Sequence, residues 1–367
     1  MQWNWQHPDW PHFIWDEARL ARPEAVFLRE SGMTTGAAKH LVVTDQDALT
    51  VDLMTGDAMD TSEIEGEYLD RESVQSSIRR YLGLAATKRT ARPAEAGIAE
   101  MVVNVFKTFS EPLSHDVLFA WHGMVASGRR DLDVIGRYRD HAEPMRIVSG
   151  TGRNQRIHFE APPSNRVDEE MGRFILWFNA GTPGGGASIP ILTRAGIAHL
   201  WFESIHPFED GNGRIGRAIA EKAIMQGLSH PGITALSSTL IKRRKNYYKA
   251  LENASRSLEI TDWLAWFADI ALEAGRNGLA QVEFLIHKAK LLDLVRGKVN
   301  ERQEKALLRM FAAGIEGFKG GLSAKNYAAI TGAAPATVTR DLVDLAAKGA
   351  LIREGERKAT RYRLNMP

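Results

Sequence analysis

The 367-residue chain contains no cysteine. That absence removes disulfides, thiolate nucleophiles and cysteine-ligated zinc together. Any apolar run near the roughly 18 residues of a membrane span is also missing, so no membrane partner is expected. The opening stretch MQWNWQHPDWPHF is aromatic and polar, unlike a secretory leader; a cytoplasmic setting is the simplest expectation. There is little net charge either, 47 Lys and Arg against 45 Asp and Glu, and low-complexity sequence is confined to a short glycine run, GTPGGGAS. What remains, with 44% hydrophobic residues, reads as an ordinary globular protein whose length predicts two or three domains.

The small net charge hides an uneven distribution. Residues 296–367 carry 14 Lys and Arg against 7 Asp and Glu, so this block is net +7 and the remainder −5. A basic C-terminal block on a mildly acidic body points toward a nucleic-acid-facing module.

Most of the chain has helical periodicity. Apolar residues recur at helical spacing in AEMVVNVFKTF, HDVLFAWHGMV, DEEMGRFILWFNA, PILTRAGIAHLWFESI, AIAEKAIMQGL and DWLAWFADIALEAG. One stretch breaks the pattern. Between Gly136 and Arg166, glycine and proline punctuate short alternating runs, MRIV and RIHF, which predicts an exposed β-hairpin between helices. At the C-terminus, ERQEKALLRMFAA predicts a helix, LSAKNYAAITGAAPATVTRDLVDLAAKGAL predicts helix, glycine turn and helix, and LIREGERKATRYRLN predicts a two-stranded ribbon.

The chemically suggestive segment is HPFEDGNGRIGR, residues 206–217. Glycines flanking Asn212 allow positive φ, so the amides of Gly211, Asn212 and Gly213 can converge on an anion. A helix starting near Arg214 would add its N-terminal dipole. Arg214 and Arg217 supply permanent positive charge suited to phosphate oxygens. A carboxylate at the lip of such a cradle needs an intervening cation, which marks Asp210 as a candidate Mg²⁺ ligand. His206 stands where it can take a proton from an attacking hydroxyl, and Phe208 reads as an anchor in the core. Each residue has an ordinary structural use, such as capping or covering a solvated face. Their coincidence in one short segment favours chemistry.

The segment matches every fixed position of H-x-F-x-[D/E]-G-N-G-R-x-x-R, and the chain resembles the Fic-domain protein adenylyltransferases. The resemblance implies a mainly α fold, a Fic-type helical core with a β-hairpin flap. It implies transfer of AMP from ATP to a Ser, Thr or Tyr hydroxyl of a protein, this chain included. His206 would be the general base, Asp210 would hold Mg²⁺ across the α- and β-phosphates, and Gly211, Asn212 and Gly213 would cradle them. Arg217 would engage the γ-phosphate, with Arg214 beside it. A lysine at Gly213 would resemble the family's phosphotransferase branch; this chain has glycine. GRYR (residues 136–139) followed by MRIVSG resembles the flap, placing Val148 and Ser149 near the nucleotide. NYYKALENAS resembles the segment closing the adenine pocket, making Tyr247 and Tyr248 nucleotide contacts; Ser255 stands where relatives often carry asparagine.

TSEIEG, residues 61–66, fits the inhibitory pattern [S/T]-x-x-x-E-[G/N] of autoinhibited relatives. Thr61, Glu65 and Gly66 would then be regulatory, with Glu65 pairing to Arg217 in place of the γ-phosphate. Some relatives use the same glutamate to remove AMP. The Trp-rich start resembles an N-terminal domain found ahead of bacterial Fic cores, and the C-terminal block resembles a winged helix. Thr337, Thr339 and Arg340 could face a DNA groove while Lys348, Arg357, Lys358 and Arg361 meet phosphates. The expected division is therefore an inhibitory N-terminal region over 1–95, a Fic core over 96–295 and a winged helix over 299–367. A homodimer is implied by the family alone. Two other functions fit the same residues: de-AMPylation at the same site, and a DNA-binding regulator whose Fic body senses nucleotide.

Overall fold

The computed structural model describes residues 2–39, 41–87, 89–150, 156–231, 234, 236–315, 317–318 and 320–366. The protein is mainly helical, with fourteen α-helices and two small two-stranded sheets among the described residues. The chain divides into two compact units, residues 1–35 with 50–278 and residues 36–49 with 279–367.

Helices α1 (Glu17–Ala38), α2 (Val43–Ile64), α3 (Arg71–Tyr81), α4 (Pro93–Lys107) and α5 (His115–Val125) come first. The hairpin of β1 (Arg146–Ser149) and β2 (Arg156–Glu160) follows. Then come α6 (Val167–Ala180), α7 (Ile191–Ile205), α8 (Asn212–Leu228), α9 (Leu236–Lys242), α10 (Arg244–Ala254) and α11 (Thr261–Val295). Local signals set several of these boundaries. The Asp70 and Ser114 side chains accept from the backbone N–H of Ser73 and Val117, capping α3 and α5.

Helices α7 and α8 are buried nearly all round, as a helix at the centre of a bundle must be. Their polar groups are stitched to neighbours. The buried Arg194 of α7 donates to the Phe178 carbonyl of α6 at 2.8 Å and to Gln226 of α8 at 2.7 Å. One apolar cluster runs from Trp10 through α2, α5 and α7 to Leu272.

The tryptophan-rich start is tied into this core. Trp10 Nε1 donates to Glu170 at 2.8 Å and the ring packs edge-on against Trp201. Asn4 donates to Ser204 of α7 at 2.8 Å, and Trp3 meets Phe159 of the hairpin. Each such aromatic pair adds about 0.5–1.5 kcal/mol beyond its area, so the segment braces both α7 and the base of the hairpin.

The hairpin pairs antiparallel, Arg146 with Glu160 and Ser149 with Arg156, with an irregularity between Ile147 and Val148. Residues 151–155, between the two strands in sequence, lie outside the described residues. The GRYR stretch expected with the flap is not in the hairpin. Arg139 is instead buried, and its guanidinium donates to the carbonyls of Pro162 and His206. Short alternation predicts strands; it does not reveal that a neighbouring arginine turns inward.

In the second unit α12 (Glu301–Phe311), α13 (Ala324–Thr331) and α14 (Pro335–Ala347) precede a hairpin of β3 (Leu351–Glu354) and β4 (Arg361–Leu364). Leu307, Met310, Leu342, Leu345 and Tyr362 fill its own core. The buried Asp341 of α14 accepts from Tyr327 and Arg302, both at 3.1 Å, which fixes α14 on α12 and α13. Thr339, Arg340 and Arg357 are exposed, Thr337 is half-buried, and Lys348 pairs with Asp344. The Lys358 side chain lies outside the described residues.

Candidate active site

The segment 206–217 forms the turn between α7 and α8, residues 206–211, and the first residues of α8. His206 ends α7 in the left-handed region, at φ 51° and ψ 60°. Its backbone N–H still donates to the Phe202 carbonyl, while Arg139 holds its carbonyl at 2.8 Å. Phe208 is fully buried and stacks on His122 at 4.2 Å, with the ring planes 15° apart. The Asn212 side chain both accepts from the Phe208 N–H (3.0 Å) and donates to its carbonyl (2.8 Å), pinning the loop. Gly211 has φ 84°, a conformation side chains resist. The helix therefore begins at Asn212, two residues earlier than expected, because the Asn212 clamp and the Gly211 turn complete the loop sooner.

No side chain caps this end of α8, so its first amides and its dipole are available to an anion. The carboxylate of Glu65, just past the end of α2, lies against this helix start. A Cβ on Gly213 would lie 2.1 Å from Glu65 Oε1, so only glycine lets that oxygen approach. Glu65 Oε1 also pairs with Arg217 Nη2 at 2.8 Å. Thr61 completes the grip: its hydroxyl accepts from Arg217 Nε at 2.7 Å and its carbonyl from Nη2 at 2.9 Å. Arg217 is buried. Burial opposes its charge, but Glu65 and other nearby acidic groups raise its pKa further above the ordinary arginine value. Gly66 follows directly, and one residue later Glu67 takes Arg214 Nη1 at 2.7 Å.

Asp210 sits on the other side of the turn, paired with Arg129 and, at 3.6 Å, with Arg214. Burial works to raise its pKa, but the Gly211 amide, Arg129 and Arg214 prevail and hold it below the usual carboxylate range. Among the described residues, no cluster of three His, Asp or Glu could hold a metal. A single ionised carboxylate beside an anion cradle fits Mg²⁺, which is commonly held by one or two carboxylates together with substrate phosphates.

The His206 pKa is pushed down to about 4, first by burial and next by the Arg139 guanidinium, so the imidazole is neutral at pH 7. Beside it opens a cavity of about 730 Å³, of small-ligand size. Val148 and Ser149 from β1, His206, Asp210 and Gly211–Gly213, Glu65, and Tyr247 and Tyr248 from α10 all line it. Ser255 is at its edge. Tyr247 is buried with its hydroxyl on His199 Nε2 at 2.8 Å. The Tyr248 hydroxyl donates to the Ile64 carbonyl at 3.1 Å, at the end of α2. Arg214 and Arg217 are held just behind the cradle.

Several participants are invisible in the sequence motif. Arg129 and Arg139 are ordinary surface-type residues in a loop, and His122 is one helix residue among many. Glu203 lies three residues before His206, and the helical spacing alone could have drawn attention to it.

A model for the Fic/DOC family matches residues 112–224, and one described as a domain of unknown function (DUF4172) matches residues 3–84. The chain therefore carries a domain of the Fic/DOC family. It is 28% identical over 96 residues to a probable protein adenylyltransferase of Aquifex aeolicus; the match spans 26% of each chain. Its fold is similar to a Fic family protein from Desulfovibrio desulfuricans, with TM-score 0.51 and 20% identity, covering 93% of this chain and 95% of that one. It is also similar to Fic-1 from C. elegans, with TM-score 0.50 and 19% identity, covering 75% of each.

Proposed function

We propose that the protein transfers AMP from ATP to a hydroxyl of a protein side chain, and that Glu65 holds the enzyme in check. The observation carrying this is the convergence of a neutral, largely buried His206 and an uncapped helix N-terminus on one cavity, with Arg214 and Arg217 on the first turns of the same helix, held by Glu67 and Glu65. The triphosphate lies along the Gly211–Gly213 amides, with Arg217 on its terminal phosphate once Glu65 has left. His206 takes the target hydroxyl's proton as the oxygen attacks the α-phosphorus and pyrophosphate departs. Asp210 would hold Mg²⁺, which when bound offsets the phosphate charge. The exposed edge of β1, with Ile147 and Val148 partly exposed, suits alignment of an extended target segment by strand addition. Gly213 stands where the phosphotransferase branch of the resembled family carries lysine, and that resemblance favours nucleotidyl over phosphoryl transfer.

Replacing His206 with alanine tests the assignment. AMP incorporation from ATP should fall by roughly 10² to 10⁴, the worth of a general base, while thermal unfolding is little changed. Labelling as fast as the parent's removes His206 from the chemistry. De-AMPylation by the same site remains the second reading, because Glu65 sits against the α8 amides where it could order a water.

For the second unit we propose a winged helix that meets duplex DNA through α14 and the β3–β4 hairpin. Its support is the order of three helices and a hairpin, the exposed Thr339, Arg340 and Arg357, and the +7 charge of the block. Gel-shift titration at two salt concentrations should show retardation that weakens steeply with salt and is reduced by Arg340→Glu. No retardation removes the DNA role.

A further inference from the structure

Three side chains at the C-terminal end of α7, His199 and Glu203 within the helix and His206 as its left-handed cap, follow each other at spacings of four and three. Each has a buried polar atom with no hydrogen bond of ordinary geometry, His199 Nδ1, Glu203 Oε1 and His206 Nδ1, and only the Gly216 and Glu203 backbones lie near the two imidazoles. Buried polar atoms are rarely left unpartnered, and three in succession, two of them on the cavity-lining Glu203 and His206, point to an arrangement completed in the working complex. The carboxyl is confined. A Cβ on Gly216 of α8 would lie 2.5 Å from Glu203 Oε1 and 3.2 Å from His199 Nδ1, so the α8 backbone packs directly onto both groups. His199 is fixed from its other side by Tyr247. The remaining direction leads to His206, whose Nδ1 is 3.8 Å from Glu203 Oε2. That distance is too long for a hydrogen bond, but contacts of this kind are often loose without substrate and tighten in the reacting complex.

We propose that Glu203 is a positioning residue for His206, its carboxylate accepting the Nδ1–H of the imidazole and so reserving Nε2 for the target hydroxyl's proton. The proposal rests on His206 being the general base. In the reaction the hydroxyl proton passes to Nε2 as the new bond to the α-phosphorus forms and the bond to pyrophosphate breaks. His206 then carries protons on both nitrogens, with Nδ1–H still on Glu203, and no proton moves to the carboxylate. Which nitrogen of a histidine is protonated is set by the bond the other makes. The charges facing Glu203 are Glu65 and Arg217, and those facing His206 are Arg139, Glu65 and Asp210. Burial, and after it Glu65, pushes the Glu203 carboxyl up to about 8, against Arg217. Departure of Glu65 removes the second contribution and favours the carboxylate, so release of the inhibitory segment also readies the base.

The test combines ¹⁵N spectra of histidine-labelled full-length protein with kinetics in a Glu65→Gly background. In the Glu65→Gly protein His206 should be the Nδ1–H tautomer. Glu203→Ala should abolish that preference and lower kcat about tenfold or more, within the 10² to 10⁴ that a general base supplies, with KM for ATP unchanged. Glu203→Gln, whose amide oxygen still accepts, should keep the tautomer and restore much of kcat. An Nε2–H tautomer in the Glu65→Gly protein overturns the proposal, as does a Glu203→Ala variant with unaltered tautomer and kcat. Retained AMP transfer by His206→Ala would instead overturn the underlying assignment, a separate result. An Nε2–H tautomer overturns the proposal even if Glu203→Ala fails to fold, and Glu203→Leu then replaces it to separate the side chain from the Glu203 backbone carbonyl that also faces the imidazole.

Discussion

Glu65→Gly perturbs one contact whose worth can be bounded from the structure. The carboxylate makes a 2.8 Å charge-assisted bond to the buried Arg217 and lies against Gly213 at the start of α8. Hydrogen bonds to charged groups contribute about 1.5–3 kcal/mol. If ATP must displace this contact to bind productively, the competent population is reduced by the same amount. Removing it should therefore raise AMP incorporation roughly 10- to 150-fold, at 1.4 kcal/mol per factor of ten. The lower part of that range is expected, because Thr61 still holds two guanidinium N–H groups and Glu67 still holds Arg214. The assay is the initial rate of AMP incorporation for the parent, Glu65→Gly, Arg217→Ala and the double variant. Arg217→Ala should cancel the gain, a non-additivity expected of residues sharing one interaction. A Glu65→Gly rate equal to or below the parent's refutes the inhibitory contact and leaves Glu65 as a helix-end residue.

Two further outcomes are expected. Arg129→Ala frees Asp210 from its ion pair and should tighten Mn²⁺ binding, read by titration with ATP present; a half-exposed pair is worth about 0.2–1 kcal/mol, so the shift is roughly 1.5- to 5-fold. Stability should fall as pH rises from about 6.5 to 8, because Glu203 and Glu221 are both raised to about 8 by burial and lose their folded-state protons late. The buried His122, His199 and His206, lowered to about 4, act in the opposite sense but only below about 6.5. Urea unfolding of Glu203→Gln should show a slope shallower by about 1.4 kcal/mol per pH unit in the upper window.

Much of this was legible in the residues because local chemistry and tertiary position coincide. The helical periods of α7 and α8 mark the central pair, and the turn residues of 206–217 carry their own backbone requirements. Segment 61–66 was legible only through its motif: the meeting of Glu65 with Arg217 depends on the end of α2 packing beside α8, which periodicity cannot state. Arg139 and Arg129 were not legible as parts of the site, since an arginine reads as surface until its partners are known. The same holds for Asn212, whose side chain proves to be occupied by Phe208, leaving the cradle to backbone amides. Glu203 stands between these cases. Its helical spacing from His206 is plain in the sequence, but the burial that unpairs it is not.

Nucleotidyl transfer is tested most directly by which phosphate of ATP becomes attached. Glu65→Gly protein incubated with Mg²⁺ and ATP labelled at either the α- or the γ-phosphate should become labelled from the α-phosphate only, and His206→Ala in the same background should abolish that signal. Label from the γ-phosphate would show phosphoryl transfer, and no label from either, on the protein itself or on added cell proteins, would show that the site does not perform the reaction.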